Sequence, residues 1–375
     1  MKIQIKRDIL LSNLNNVSKA LSNKPQMPIL TGIKFDVKSN FLTLTASNSD
    51  ISIQTKIEAN DDLEIKEIGT IVLPGKYFCD IIRKCDSNTV LIQTFEQNSV
   101  KIVANQSTFT LNLLDKTIFP YISFDDSQNY VYLDGINLKQ IIKKTSFATS
   151  LSEAKMVLTG VNFTVEKDKL EAVATDSFRL AKKYMKIEGM NAQIKAIIPS
   201  KALDELNKIV EEVQEIIQIH FTQTRALFKY KNILFQTRLI EGNFPNTRSL
   251  IPTEFITSIK FNKQELTNAI DRASLFNATD PANVIKFSIN EQNEILISSS
   301  ANEIGGSIEK ITPIECTKYI NFEIAFSAKY FLDALKAFDS NEISLHFTGE
   351  LKPFIMNSEY DINHVQLILP VRSAY

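Results

Sequence analysis

The sequence predicts an α+β protein made of three copies of one domain, and three observations carry that expectation. A half-buried strand is written three times, as "GIKFDV" at 32–37, "GVNFTV" at 160–165 and "VIKFSI" at 284–289. A helical segment precedes each copy, with Leu10, Leu138 and Leu266 spaced 128 residues apart. The chain of 375 residues also exceeds what one hydrophobic core serves, which points to roughly two to four domains.

Each repeat opens with an amphipathic helix, expected at 7–21, 136–150 and 262–276. Leu14, Ile142 and Ile270 follow the leucines four residues on and keep the interval of 128, which places apolar side chains on one helical face. The strand comes next, then more strands, then a second helix. "VLPGKYFCDIIRKC" at 72–85, "AIIPSKALDELNKIV" at 196–210 and "IAFSAKYFLDALKAF" at 324–338 share one order: apolar strand, Pro or Ser, a small residue, a lysine, a helix. Pro74, Pro199 and Ser327 suit a helix start through fixed φ or N-capping. The strands "LIQTFEQ", "IQIHFTQ" and "ISLHFTG" then set Phe95, Phe221 and Phe347 at intervals of 126. Turns "IFP" at 118–120 and "NFP" at 243–245 follow the closing strands of the first two repeats. A period of about 125 residues is far above the 20–50 of a solenoid, so the expected domains are 1–127, 128–253 and 254–375.

Composition limits the function. Hydrophobic content of 44%, charged content of 23% and a net charge of −1 are ordinary globular values, and they exclude a uniformly basic nucleic-acid binder while leaving room for basic residues on one face. Three cysteines (Cys79, Cys85 and Cys316) without metal-type spacing read as reduced thiols of a cytoplasmic protein. "MKIQIKRDIL" has no apolar signal-peptide core, and no apolar run reaches the ~20 residues of a membrane span. Of three histidines, His220 and His346 fall at one repeat position where the first repeat has Thr94, a structural pattern; His364 has no Ser or Cys partner pattern. No phosphate loop, dinucleotide fingerprint, zinc-protease or nucleophile-elbow motif is present. No catalytic residue, metal site or cofactor is expected. A nucleic-acid-modifying enzyme with an unrecognised site is the alternative.

Repetition without catalytic residues points to geometry. Basic residues recur on the first helices (Arg7, Lys19, Lys139, Lys143, Lys144, Lys263, Arg272) and on the second (Lys76, Arg83, Lys84, Lys201, Lys208, Lys329, Lys336), with Lys24 just beyond the first helix. If both helices of every repeat line a ring, six helices packed 8–10 Å apart leave a hole of roughly 8 Å. Twelve leave roughly 20–28 Å, enough for a double helix, so two chains joined head to tail are the expected closed form.

The segments "MPILTGIKF" at 27–35, "LTGVNF" at 158–163, "ATDSFRLA" at 174–181, "EGNFPNTRSLIP" at 241–252 and "LILPVR" at 367–372 resemble those of the bacterial DNA polymerase III β subunit, over the whole length and in order. The resemblance implies three domains of two helices and two antiparallel sheets each, forming half of a closed ring around duplex DNA. It implies a non-catalytic processivity subunit that holds duplex DNA without regard to sequence; of the recurring basic positions, Lys24, Lys76, Lys139, Lys143, Lys201 and Lys329 are the expected DNA-facing residues. It also implies a hydrophobic cleft for short linear motifs of the polymerase III α subunit, the clamp loader, other polymerases and repair proteins. That cleft maps onto Leu158, Thr175, Phe178, Arg179, Leu180, Pro245, Leu250, Leu367, Leu369, Pro370, Val371 and Arg372. The joint between copies maps onto Phe109 and Leu111 against Leu275 and Phe276. Phe178 stands where the family often has His or Tyr, and Ser249 where many members carry a basic residue.

Overall fold

Six helices form where the periodicity places them: α1 (Arg7–Val17), α2 (Gly75–Lys84), α3 (Gly135–Thr145), α4 (Ser200–Asn207), α5 (Lys263–Ser274) and α6 (Ala328–Lys336). The computed structural model describes residues 1–22, 27–96, 98–187, 193–277, 283–301 and 305–371. The first helix of each repeat runs on into a 3-10 turn, at Ser18–Ala20, Ser146–Ala148 and Leu275–Asn277. Capping chemistry follows the sequence signals. Asn262 Oδ1 accepts the N–H groups of Gln264 and Glu265 at 2.9 and 3.1 Å, and Ser327 Oγ accepts that of Tyr330 at 3.5 Å. Pro74 occupies the N-cap of α2, where a missing N–H costs nothing.

The chain divides into two compact units, Met1–Ile136 with Asp204–Leu239, and Asn137–Leu203 with Ile240–Tyr375. Unit 1 holds a five-stranded sheet in the order Leu63–Glu67, Lys2–Lys6, Thr89–Phe95, Ser99–Ala104, Ser107–Asn112. Its second sheet has eight strands: Tyr130–Asp134, Ile216–Phe221, Arg225–Tyr230, Ile233–Arg238, Ile51–Glu58, Phe41–Ser47, Gly32–Val37 and Gly69–Pro74. Unit 2 holds nine strands in the order Ile194–Pro199, Gly160–Glu166, Lys169–Thr175, Arg179–Lys186, His364–Ile368, Phe354–Asn357, Glu342–Phe347, Thr257–Asn262, Glu315–Cys316. Its four-stranded sheet runs Gly305–Ile311, Ile295–Ala301, Val284–Ile289, Phe322–Ser327. All these pairings are antiparallel.

Two sheets per repeat would make six; four are seen because neighbouring repeats share a sheet. Ile51–Glu58 of the first repeat pairs with Ile233–Arg238 of the second, and Arg179–Lys186 of the second with His364–Ile368 of the third. Each join satisfies N–H and C=O groups that an edge strand leaves open. In unit 1, α1 buries Leu10, Leu14 and Val17 and packs against α2, whose Phe78 meets Phe35 edge-on at 5.2 Å. In unit 2, α5 packs against α6 over a cluster of phenylalanines in which Phe287 and Phe347 stack at 5.1 Å.

The thrice-written strand has a packing reason. Its first residue lies opposite the residue that opens the second helix: Gly32 opposite Pro74, Gly160 opposite Pro199, Val284 opposite Ser327. A Cβ on Gly32 would sit 2.5 Å from Val72 Cγ1, and one on Gly160 would sit 2.7 Å from the Ile198 carbonyl oxygen. The first two copies therefore begin with glycine.

Candidate partner-binding cleft

The cleft residues are brought together where Arg179–Lys186 pairs with His364–Ile368 in unit 2. A strand alternates its faces, so Leu180 and its register partner Leu367 share one face, and Arg179 and Lys183 share the other. Leu180, Leu367, Val173 and Ile355 form a buried apolar floor, with Phe244, Ile251, Val365 and Leu369 half-buried against it. Thr175 ends the strand Lys169–Thr175, and the loop from it to Arg179 carries Phe178. Thr175 is buried, and its Oγ1 donates to the Arg179 carbonyl at 2.6 Å. Asp176 Oδ1 accepts the N–H groups of Phe178 and Arg179 at 2.9 and 3.0 Å, which holds Ser177 at φ 80°. Phe178 thus stands at the rim, 59% exposed, over the Tyr330 ring at 6.3 Å. The chain end is anchored by Leu369 N–H on the Phe178 carbonyl at 3.0 Å and Val371 N–H on the Ala325 carbonyl at 2.7 Å. Pro370 between them has no N–H to place.

Other mapped residues lie elsewhere. Leu158 is buried and Pro245 exposed, both outside that apolar cluster. Leu250 is 53% exposed and lines a separate hollow with Phe255, Ile256 and Pro353. Arg372 lies outside the described residues. Arg179 points away from the floor. Its guanidinium is nearly buried, donates to Asp176 and Asp333 at 3.0 Å each and to the Phe147 carbonyl at 2.7 Å, and lies 4.5 Å over the Tyr330 ring. It holds the loop and α6 in place and presents no free charge to a ligand. The sequence reading missed Val173, Ile355, Phe244, Ile251 and Val365. "NFP" and "LIP" carried Phe244 and Ile251, but Val173 and Ile355 read as ordinary strand residues.

The opposite face of this join is ionic. Lys144, Lys183 and His364 are buried; both lysines pair with Asp361, Lys183 at 2.5 Å, and Lys144 also reaches Asp339 at 3.2 Å. Burial pushes the Asp361 carboxyl up, but hydrogen bonds from the two lysines outweigh it and hold the group below its ordinary value. Burial, with the Lys144 charge, pushes the His364 ring down to about 3, so it is neutral. Gln366 donates its amide to His364 Nε2 at 2.5 Å, which puts the ring proton on Nδ1, 3.6 Å from Asp361.

This corrects the reading of the basic helix face. Lys144 belongs to the buried network, not to a positive surface. Arg7 donates to the carbonyls of Ile82 and Arg83 at 3.0 and 2.7 Å, and Lys263 to that of Phe338, so both satisfy helix ends. Lys76, Lys201 and Lys329 behave otherwise: each is exposed in the first turn of α2, α4 and α6, with no ion pair among the described residues. Lys139 is half-buried, Lys143 pairs with Asp339 at 2.5 Å, and Lys24 lies outside the described residues. His346 bonds Ser258 and Asn357 at 2.7 and 2.9 Å, a structural position.

Phe109 and Leu111 are half-exposed on Ser107–Asn112, an edge strand of unit 1. Leu275 is 67% exposed and Phe276 half-exposed in unit 2, in the turn beside the edge strand Gly305–Ile311.

Models of the DNA polymerase III beta subunit match throughout: the N-terminal domain at residues 1–123, the central domain at 132–246 and the C-terminal domain at 248–372. The chain is 40% identical to a beta sliding clamp of Staphylococcus epidermidis over 378 residues, covering 100% of both. The crystal structure of the DNA polymerase sliding clamp from Bacillus subtilis matches with a TM-score of 0.95 at 39% identity, over 100% of this chain and 99% of that one. A sliding clamp from Bartonella birtlesii bound to griselimycin matches with a TM-score of 0.92 at 26% identity, over 100% of both chains. The chain therefore belongs to the DNA polymerase III beta subunit family, the non-catalytic sliding clamps of DNA replication.

Proposed function

We propose that two copies of this clamp close head to tail into a ring around duplex DNA, each contributing repeats 1–127, 128–253 and 254–375, in the cytoplasm. The observation that carries this is a pair of sheet edges that show apolar side chains. Ser107–Asn112 shows Phe109 and Leu111, and Gly305–Ile311 shows Ile308, 74% exposed, beside Leu275 and Phe276. An edge strand is a template for a second chain, and two different edges on one chain make a heterologous joint; closure after two copies follows from the twelve-helix ring, whose hole of roughly 20–28 Å admits a duplex. DNA then runs past Lys76, Lys201 and Lys329, with Lys24, Lys139 and Lys143 as further contacts. Such phosphate contacts carry no sequence information, so the ring slides.

The apolar floor under Leu180 and Leu367 takes short motifs of the polymerase III α subunit, the clamp loader and other polymerases and repair proteins, with Phe178, Leu369, Pro370 and Val371 at its margin. A relative that binds griselimycin supports a ligand site on this fold. The test is mass and topology together. The protein should run at twice 42.4 kDa, load on nicked circular DNA and escape when the circle is cut. A monomer, or retention on linear duplex, would refute the ring.

A further inference from the structure

Unit 1 contains a second copy of the frame that builds the cleft of unit 2. Asn48 Oδ1 accepts the N–H groups of Asp50 and Ile51 at 3.1 and 2.8 Å, as Asp176 does for Phe178 and Arg179. Ser49 has φ 82° where Ser177 has 80°. Arg238 N–H donates to the Asp50 carbonyl at 2.9 Å, where Leu369 N–H donates to that of Phe178 at 3.0 Å. These bonds and the strand registers fix the equivalences. Ser52 stands for Leu180, Gln236 for Leu367, Thr45 for Val173, Arg238 for Leu369 and Asp50 for Phe178.

The main chain is kept and the chemistry is exchanged. Arg238 lies directly opposite Arg225 on the neighbouring strand, so two guanidinium side chains share one face. Like charges in that position repel unless an anion separates them. Both line one hollow with Asp50, Ser52 and Gln236, and neither makes an ion pair or side-chain hydrogen bond among the described residues. Asp50, a single acid, leaves the hollow net positive. Beside the arginines the same hollow has an apolar wall of Leu30, Ile122 and Met27, and Tyr121 stands at its edge, 92% exposed.

We propose that this hollow is a second peptide site, selective for an acidic segment carrying one aromatic side chain. A carboxylate between Arg225 and Arg238 takes a forked contact from either guanidinium, and the aromatic group packs on Leu30, Ile122 and Met27. The proposal rests on the reading that the corresponding frame in unit 2 takes extended peptides.

Fluorescence polarisation with two labelled probes tests it. One is Asp-Glu-Phe-Asp-Glu; the other carries Gln followed by Leu and Phe. The acidic probe should bind at low salt and weaken as salt rises. Arg225→Gln with Arg238→Gln should raise its Kd at least about ten-fold and leave the Gln-Leu-Phe probe unchanged. Leu180→Ala should do the reverse. No binding of the acidic probe by the unaltered protein, or equal binding by the arginine variant, overturns the proposal. Displacement of that probe by a thymidine oligonucleotide, dependent on the same arginines, also overturns it and assigns the hollow to nucleic acid. Failure of the Gln-Leu-Phe probe alone overturns the reading of unit 2 and leaves the arginine chemistry supported.

Discussion

The two joins between repeats use one backbone and opposite polarities. In unit 2 the outer face of the join carries Leu180, Leu367 and Val365 beside Lys182, which pairs with Glu171 at 2.9 Å; the face toward α3 carries Arg179, Lys183, His364 and Gln366 among buried Ala181 and Ile368, with Gln366 donating to the Lys144 carbonyl at 3.1 Å. In unit 1 the outer face is polar (Ser52, Gln236), and the other is mostly apolar: Ile51, Ile53, Thr55, Ile233 and Phe235, all buried. A strand alternates side chains, so the pattern is shifted by one residue while the register is held. One join seals itself by burying hydrocarbon and leaves a polar outer hollow. The other turns an apolar face outward, the candidate partner site, and is held from behind by ion pairs.

The ionic face of unit 2 is therefore the weak point. Asp361→Asn leaves Lys144 and Lys183 buried without their shared carboxylate, and breaking a buried ion pair costs about 3–5 kcal/mol. The urea midpoint of the variant should fall accordingly, while no single side chain behind the unit 1 join carries a comparable charge. An unaltered midpoint would show that the network contributes little to holding the join.

Acid should find the same place. The His364 ring is pushed down to about 3 in the folded chain, against 6.5 for the free side chain. Between those values the unfolded chain binds a proton that the folded chain refuses, so stability rises with pH across that window. The contribution is fully present above 6.5 and is lost as pH falls toward 3. Asp361, held below its ordinary 3.8, adds loss only at the acid end. One group gives at most about 1.4 kcal/mol per pH unit. His364→Phe, which keeps a ring against Phe338, should flatten the melting temperature between pH 4 and 6; an unchanged slope would mean that other groups govern it.

The apolar face should answer to partners and not to assembly. Leu180→Ala, or Leu369→Ala with Pro370→Ala, is expected to weaken the Gln-Leu-Phe peptide by about 1–2 kcal/mol in calorimetric titration and leave the dimer intact. Leu275→Asp with Phe276→Asp should do the opposite, giving a monomer by light scattering that still binds the peptide. Any variant that loses both properties would break the separation of the two surfaces.

Much of this architecture was legible in the sequence because repeats expose themselves. Leu10, Leu138 and Leu266 lie on one helix face, and the spacing alone says so. The sharing of sheets was not legible, because edge pairing between repeats leaves no periodicity in either strand. Nor was the buried role of Lys144, which reads as another surface lysine beside Lys143; its partner Asp361 is 217 residues away. The cleft was half-visible. "LILPVR" and "DSFRL" announced Leu180 and Leu367, while Arg179, mapped to the same cleft, is a buried tie to Asp176 and Asp333.

The smallest effect tests the comparison from the unit 1 side. Thr55 occupies the position of Lys183, and its Oγ1 is buried with no hydrogen-bond partner among the described residues. A buried hydroxyl without a partner has lost its water and gained nothing in return. Thr55→Val keeps the branched shape and removes that oxygen, so the urea midpoint should stay level or rise, by no more than about 1 kcal/mol of stability. In unit 2 the matching change, Lys183→Val, also strips a charge from Asp361 and should lower the midpoint. Equal effects at the two positions would mean that the two faces are not of opposite character. A drop at Thr55 as large as that at Lys183 would show that the unit 1 join depends on a polar contact to this hydroxyl.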